Sequence, residues 1–349
     1  MIISASYKTD IPTFYGEWFI RRLRAGYCKM VNPIGRQIHR IDLLPESVDG
    51  FVFWTKNVGP FLKYLPEIHQ TGIPFVIQHS INGYPHEIEA RVTNSISTVE
   101  HMKSIADEYG SERLIWRYDP IVFTSLTTYD DHLQTFVTLA QLLEGTTDEV
   151  VVSFAQLYKK TVSQMEAAAK EHDFSWQNHQ IWDTVVENGR KLLGELAGIA
   201  QQHHMQLKVC SQKEFLIEGI QEARCIDAER LARITGNSLR HKAKLKGNRA
   251  ECGCFESRDI GEYNTCPHGC VYCYAVRDRG LALNRYKAHD PFSEFLFQPK
   301  DSIPEELEQT PSLITLQKRD KRTAKKDEAG KRERSSDVPR SLPLWSDET

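Results

Sequence analysis

No uninterrupted apolar run in the 349 residues approaches the ~18 that span a bilayer, so a membrane-crossing helix is not expected. The opening Met-Ile-Ile-Ser-Ala-Ser-Tyr-Lys lacks the charged and apolar regions of an export signal, and the expectation is a cytoplasmic protein with reduced thiols. Phosphate-binding loops are missing too. Neither G-x-G-x-x-G nor G-x4-G-K-[ST] occurs, which removes the usual sequence grounds for dinucleotide or P-loop binding. An excess of positive charge is also lacking: 44 Lys and Arg stand against 47 Asp and Glu, a net −3. Nothing attracts the whole molecule to nucleic acid or an anionic membrane, so any such contact has to be local. No internal repeat is evident.

What is present is a concentration of cysteine. Five of the eight lie between Cys252 and Cys273, and the last three are spaced C-x3-C-x2-C in Cys266-Pro-His-Gly-Cys270-Val-Tyr-Cys273. Three thiolates held so closely suit a soft metal. A tight three-cysteine loop can bind three irons of a four-iron cubane and leave the fourth open to a non-protein ligand. Two other readings stay open. Cys252-x-Cys254 with Cys270-x2-Cys273 could supply the four ligands of a structural zinc. A disulfide framework belongs to short secreted chains and suits this one less. Cys210, Cys225, Cys252 and Cys254 together offer a second metal site, either a closed iron–sulfur cluster or zinc. Cys225 reads equally well as a buried helix residue, and Cys28 as packing.

Short apolar or β-branched runs recur, each followed by a segment of helical periodicity, and this rhythm predicts a parallel sheet with crossover helices. The expected strands are Ile2 to Ser6, Gly50 to Thr55, Pro74 to His79, Leu114 to Tyr118, Glu149 to Phe154 and Gln206 to Cys210. Helices are expected over Phe14 to Arg24, Pro60 to Gln70, Ser97 to Tyr109, Asp130 to Glu144, and a longer region from Thr161 to His204. Ligands of parallel α/β folds gather at the C-terminal ends of strands. There the chain places Ser4, Ser6, Asp10, Thr55, Lys56, Asn57, Gln78, His79, Asn82, Arg117, Asp119 and Gln156. Lys56 and Arg117 are the two strand-end cations and could hold a carboxylate, or pair internally with Asp10 and Asp119. His268 is expected to order the cysteine loop by hydrogen bonding.

After residue 301 the composition changes. Lys318 to Arg334 holds nine basic and four acidic residues without an aromatic, and Trp345 stands alone in a polar terminus. Such a tail cannot bury a core and is expected to be mostly disordered, with contact to nucleic acid as its alternative role. The expected organisation is 1–215 for the α/β unit, 216–300 for a cysteine-rich cluster-binding segment and 301–349 for the tail.

The C-x3-C-x2-C loop, with Tyr272 before its third cysteine, resembles the cluster loop of the radical S-adenosylmethionine (radical SAM) superfamily. That resemblance implies a 4Fe-4S cluster on Cys266, Cys270 and Cys273, S-adenosyl-L-methionine bound with its adenine near Tyr272, and a partial (β/α)6 barrel. It also implies an enzyme that forms a 5′-deoxyadenosyl radical to modify an unidentified substrate, and an external electron donor such as a flavodoxin or ferredoxin. In that superfamily the loop usually follows the first strand, whereas here it comes late. The whole chain is more similar to the family called domain of unknown function 1848. It shares Ile3-Ser-Ala-Ser, Thr9-Asp10-Ile11-Pro12, Phe53-Trp54-Thr55-Lys56-Asn57, and Asp259-Ile260-Gly261 running into the cysteine loop. A weaker likeness of the Thr55-Lys56 strand end to spore photoproduct lyase-like proteins, together with the basic tail, tilts the expected substrate toward nucleic acid. The rival functions are an iron–sulfur electron carrier and a zinc-stabilised nucleic-acid-binding protein.

Overall fold

The computed structural model describes residues 1–32, 37–176, 182–236, 238–239, 241, 243–247 and 252–297. The tail expected over 301–349, with its basic run and Trp345, lies outside them. The chain runs β1 Ile2–Ala5, α1 Ile11–Phe14, α2 Gly16–Ala25, β2 Tyr27–Val31, β3 Ile38–Asp42, β4 Gly50–Thr55, α3 Leu65–Gln70, β5 Phe75–Ser80 and α4 Ser95–Tyr109. It continues with β6 Leu114–Ile121, α5 Tyr129–Leu143, β7 Glu149–Phe154, α6 Lys159–His172, α7 Trp182–Gln202, β8 Gln206–Val209, β9 Gln221–Glu222, α8 Ala228–Thr235, β10 Ser257–Asp259 and α9 Arg279–Lys287.

Eight strands pair in parallel in the order β10-β1-β4-β5-β6-β7-β8-β9, while β2 and β3 form a separate antiparallel hairpin. All six expected strands are central members of the sheet. Among the described residues no ladder joins the edge strands β9 and β10. No helix among them is long and apolar enough to cross a membrane.

Successive side chains of a strand point to opposite faces, and here both faces are covered. One face carries Phe51, Phe53, Phe75, Ile77, Leu114, Trp116, Val150 and Val152, packed against the apolar stripes of α2, α4, α5 and α7 through Phe19, Met102, Phe136 and Leu193. Each of these fully buried side chains contributes about 1.5–3 kcal/mol by leaving water. The opposite face carries Ile2, Val52, Val76, Ile115 and Val151, and these pack on residues 223–255 instead, through Ala223, Cys225, Ile226, Leu231 and Cys254. On this second face the next residues toward the C-terminal strand ends are Ser4, Trp54, Gln78, Arg117 and Ser153. The face therefore changes from apolar to polar along the strands.

Local chemistry adjusts the expected helix bounds. Tyr15, at φ −129, separates α1 from α2, so the helix expected over Phe14 to Arg24 is two pieces. Asn94 caps α4, its side chain accepting the Ile96 amide at 2.8 Å, so the helix expected from Ser97 starts at Ser95. The long region after Thr161 breaks because Asp173 takes the left-handed conformation at φ 53 and ends α6.

Candidate functional site

The late cysteine loop folds back over the C-terminal ends of the strands. Its backbone pairs with the segment after β5: the Val271 amide donates to the Ile88 carbonyl at 3.0 Å, the Arg91 amide to the His268 carbonyl at 3.0 Å, and Glu89 bridges Cys270. On the β1 side the Tyr15 hydroxyl donates to the Thr265 carbonyl at 2.6 Å, and the Tyr274 hydroxyl donates to the Tyr7 carbonyl. Asp10 fixes the middle of the loop by bonding His268 Nε2 at 2.8 Å while accepting the backbone amides of Thr13 and Lys56. Burial alone would raise the Asp10 carboxyl, but His268 and those amides hold it below its ordinary value. His268 thus orders the loop, as the sequence suggested.

Upstream of the loop, β10 pairs with β1, and Asp259 at its end gathers the turn after β1. Ser4 Oγ, Ser6 Oγ and the amides of Tyr7 and Gly261 all donate to the Asp259 carboxylate, at 2.8–3.0 Å. A Cβ at Gly261 would stand 2.0 Å from Ser6 Oγ, so only glycine fits between the two segments.

Cys270 is buried, and Cys266 and Cys273 are partly exposed. Cys273 acts electrostatically on the Cys266 thiol, Cys266 and Cys273 both act on Cys270, and burial pushes all three thiols above the ordinary range. Opposing that shift, the backbone amides of His268 and Asp10 point at the Cys266 sulfur and those of Ala275 and Val276 at the Cys273 sulfur, while Lys56 lowers Cys270. Amides aimed at sulfur favour thiolate, the form that binds metal.

Lys56 follows β4 and reaches this loop. Its Nζ pairs with Glu89 Oε1 at 2.7 Å and donates to Asn82 Oδ1 at 3.2 Å. Desolvation works against its charge, but Glu89, the Cys270 thiol and Asp119 outweigh this and raise its pKa. The hydroxyl of Tyr272 also bonds Glu89, and Lys56 Nζ lies 5.8 Å from the centre of the Tyr272 ring. Glu89 was not singled out in the sequence, because it lies in an aperiodic loop that offers no spacing signal. Thr55 turns inward to Thr13 and the Asn57 amide. His79 is wholly buried, and burial pushes its pKa down to about 3; its Nε2 accepts the Val58 amide at 3.3 Å.

Arg117, on the polar stretch of the second sheet face, points elsewhere. It holds Asp119 at 2.6 Å, donates to Gln78 Oε1 at 3.2 Å and to Cys225 Sγ at 2.9 Å, and lies 5.0 Å from the Trp54 ring. Cys225 is the centre of a second thiol group. Its sulfur is 3.3 Å from that of Cys210, it also contacts Cys254, and Cys254 contacts Cys252. The Cys210 contact pulls the Cys225 thiol down while the Cys254 contact and burial push it up, leaving it at about 12. The structure thus sorts the seven cysteines of the sequence reading into two sets. Cys270 and Cys273 pack with Ile88, Val122 and Met165, whereas Cys210, Cys225, Cys252 and Cys254 pack with the apolar row from Ile2 to Val151. Cys252 and Cys254 lie with Cys210 and Cys225 rather than with Cys270 and Cys273. Among the described residues no three His, Cys, Asp or Glu side chains are already set around a common point.

The sequence profile described as Domain of unknown function (DUF1848) matches residues 2–275. A comparison with curated proteins finds no match. Among solved structures, a dihydropyrimidinase from Brevibacillus agri aligns at 13% identity over 55% of this chain and 38% of its own, with a TM-score of 0.26. A D-hydantoinase from a Bacillus species aligns at 14% identity over the same shares, with a TM-score of 0.25. The chain spans 38% of the length of those enzymes, and overlap at such scores carries no argument about chemistry.

Proposed function

The chain belongs to the DUF1848 family, and from the site its residues build we propose that it is a radical SAM-type iron–sulfur enzyme on a partial (β/α) barrel. Cys266, Cys270 and Cys273 would hold a four-iron cluster, and S-adenosylmethionine would be the second cofactor. The supporting observation is topological. The cysteine loop is late in sequence, yet β10, the strand it follows, is the edge strand beside β1. Counted across the sheet from that edge, the loop follows the first strand and every later strand comes in chain order. The departure from the superfamily pattern is then one of connectivity, a permutation, rather than of place.

The donor set fits the cluster. Three soft thiols from one short loop leave a fourth metal position for a non-protein ligand, and backbone amides already point at two of the sulfurs. Held there by Cys266, Cys270 and Cys273, a reduced cluster with S-adenosylmethionine would supply 5′-deoxyadenosyl radical chemistry for hydrogen abstraction. The residues of the chain orient and shield. Asp10 and His268 fix the loop, Lys56 offsets negative charge beside Cys270, and Ile88, Val122 and Val271 exclude water from one side. Tyr272 and Glu89 hold the Lys56 ammonium in place. An external one-electron donor, a flavodoxin or ferredoxin, is the partner this chemistry requires.

The test is anaerobic purification followed by iron and sulfide analysis and a search for 5′-deoxyadenosine after reduction with S-adenosylmethionine. About four irons per chain and the nucleoside are expected, and Cys270→Ala should lose both. Iron without the nucleoside would make the protein an electron carrier. Zinc on the triplet would sink the proposal.

A further inference from the structure

The second thiol group carries an inference that stands whether or not the first holds iron. We infer that Cys210, Cys225, Cys252 and Cys254 form a closed tetrathiolate site for one tetrahedral divalent ion, zinc by ligand chemistry, that staples residues 223–255 to the sheet.

The ligands come from three stretches that have no local reason to meet. Cys210 follows β8, Cys225 follows β9, and Cys252 and Cys254 lie on a stretch that pairs antiparallel with residues 244–246. There Leu245 bridges Phe255, the Lys246 amide donates to the Cys254 carbonyl at 2.9 Å, and the Glu256 amide donates to the Lys244 carbonyl at 2.8 Å. The backbone is tight enough that a Cβ on Gly247 would stand 2.2 Å from the Cys252 carbonyl oxygen.

The spacing suits one ion. Four sulfurs at about 2.3 Å from a tetrahedral zinc stand about 3.8 Å from one another. The Cys210 and Cys225 sulfurs are 3.3 Å apart. A four-iron cluster, which takes each thiolate on a different iron, spreads its ligands more widely. The four sulfurs form a chain of contacts from Cys210 through Cys225 and Cys254 to Cys252, and an ion at their centre draws its ends together. Each thiol gives up its proton on binding, so zinc uptake releases protons to solvent.

The surroundings match a charged tetrathiolate better than a group of packed thiols. Four thiolates around a divalent ion carry a net charge of −2. The Arg117 guanidinium donates to Cys225 Sγ at 2.9 Å, and the Ile226 amide donates to Cys254 Sγ at 3.4 Å. Gln78 Nε2 anchors the Cys225 carbonyl at 2.9 Å. Donors of this kind orient metal-bound thiolates and balance their charge, whereas thiols that merely fill space need no guanidinium. The mechanical role follows from the fold. The described residues between 223 and 255 cover the apolar part of a sheet face, with α8 as the one helix among them, and the ion ties the two ends of this stretch to the end of β8.

The experiment uses the full-length chain with Cys266, Cys270 and Cys273 all changed to Ser, so that any iron on the triplet is removed. Metal analysis should find about one zinc per chain. After chelation, cobalt(II) alone should give the intense thiolate-to-cobalt and tetrahedral absorption of a four-sulfur site. Adding Cys252→Ser, a change at the partly exposed end of the group, should shift that spectrum and weaken zinc binding at least tenfold. Adding Cys225→Ser and Cys254→Ser together should abolish both. Four outcomes would overturn the inference: no thiolate–cobalt spectrum in the triplet variant, an iron–sulfur spectrum surviving there, zinc retained without Cys225 and Cys254, or a Cys210–Cys225 disulfide in the native protein. Absence of iron from the wild type would sink the proposed function and leave this site untouched.

Discussion

Cys266, Cys270 and Cys273 come from a single eight-residue loop, whereas Cys210, Cys225, Cys252 and Cys254 come from three stretches that meet only when the sheet and its covering segment are in place. The loop brings its own sulfurs together and borrows its surroundings: Asp10 from the turn after β1, Lys56 from the end of β4, Glu89 from the loop after β5. The quartet borrows its ligands as well. Each group faces its own cation, Lys56 for the triplet and Arg117 for the quartet, and Asp119 lies between them, paired with Arg117 and acting on both Lys56 and Cys210. A cluster chelated by one loop is a property of sequence, and one assembled from distant stretches is a property of the fold.

The sharpest way to break that comparison is Lys56→Met. It leaves the Glu89 carboxylate buried without its ion partner, which costs about 3–5 kcal/mol. Urea unfolding should show this loss, and Lys56→Met/Glu89→Gln should recover most of it. Iron content of the folded single variant should fall while zinc on the quartet is unchanged; equal loss of both metals would mean that the two groups are not independent. Gly261→Ala is next. Its Cβ would meet Ser6 Oγ at 2.0 Å, and overpacking of that kind costs about 1–3 kcal/mol. The loosened β10–β1 contact should expose the triplet thiols to alkylation before those of the quartet.

The smallest effect is expected from Asp10→Asn, about 1–2 kcal/mol at neutral pH, because asparagine keeps one acceptor oxygen for the Thr13 or the Lys56 amide while the other bond and the charge facing His268 are lost. Its pH dependence identifies it. The folded Asp10 carboxyl lies below its ordinary value of 3.8, so its contribution is complete above that pH and is lost as pH falls through the lower folded value. Unfolding curves of metal-free wild type and Asp10→Asn should therefore converge in acid. A gap that does not narrow as the pH falls below 3.8 would assign the effect to packing instead.

The central sheet was legible because five of its six strands, β1, β4, β5, β6 and β7, are largely apolar runs each followed by a helix, and the sixth, β8, follows the last of those helices. The edge strands β9 and β10, at two and three residues, are too short to show alternation, and only pairing with β8 and β1 makes them strands. The β2–β3 hairpin was missed although Asn32-Pro33 and Gly35, in the sequence between its strands, are turn residues. At the site, C-x3-C-x2-C and Lys56 were visible as spacing and as a strand end. Glu89 was invisible, since a carboxylate in a loop acquires meaning only when Lys56 and Tyr272 arrive from elsewhere. Cys252-x-Cys254 announced half of the quartet. Its other half, Cys210 and Cys225, was a candidate by residue type alone, because the two are fifteen residues apart with a strand and a turn between them. Arg117 looked like an anion holder from its place in β6, and only the fold reveals the thiol it faces.

The pairing of β10 with β1 also bears on how the protein is made. Asp10 and His268 are 258 residues apart, and Ser4 and Asp259 are 255 apart. A ribosome releases the first strand long before it has synthesised the strand that flanks it. At about 5–20 residues per second, β1 waits tens of seconds with one edge unpaired. The central strands can assemble in order during that interval, each beside its predecessor, but the cysteine groups are complete only once Cys254 and Cys273 have been made. Any metal the two groups take would therefore load late, on a sheet whose central strands are already in place, and the nascent chain exposes an open β1 edge to any chaperone or neighbouring chain able to add a strand.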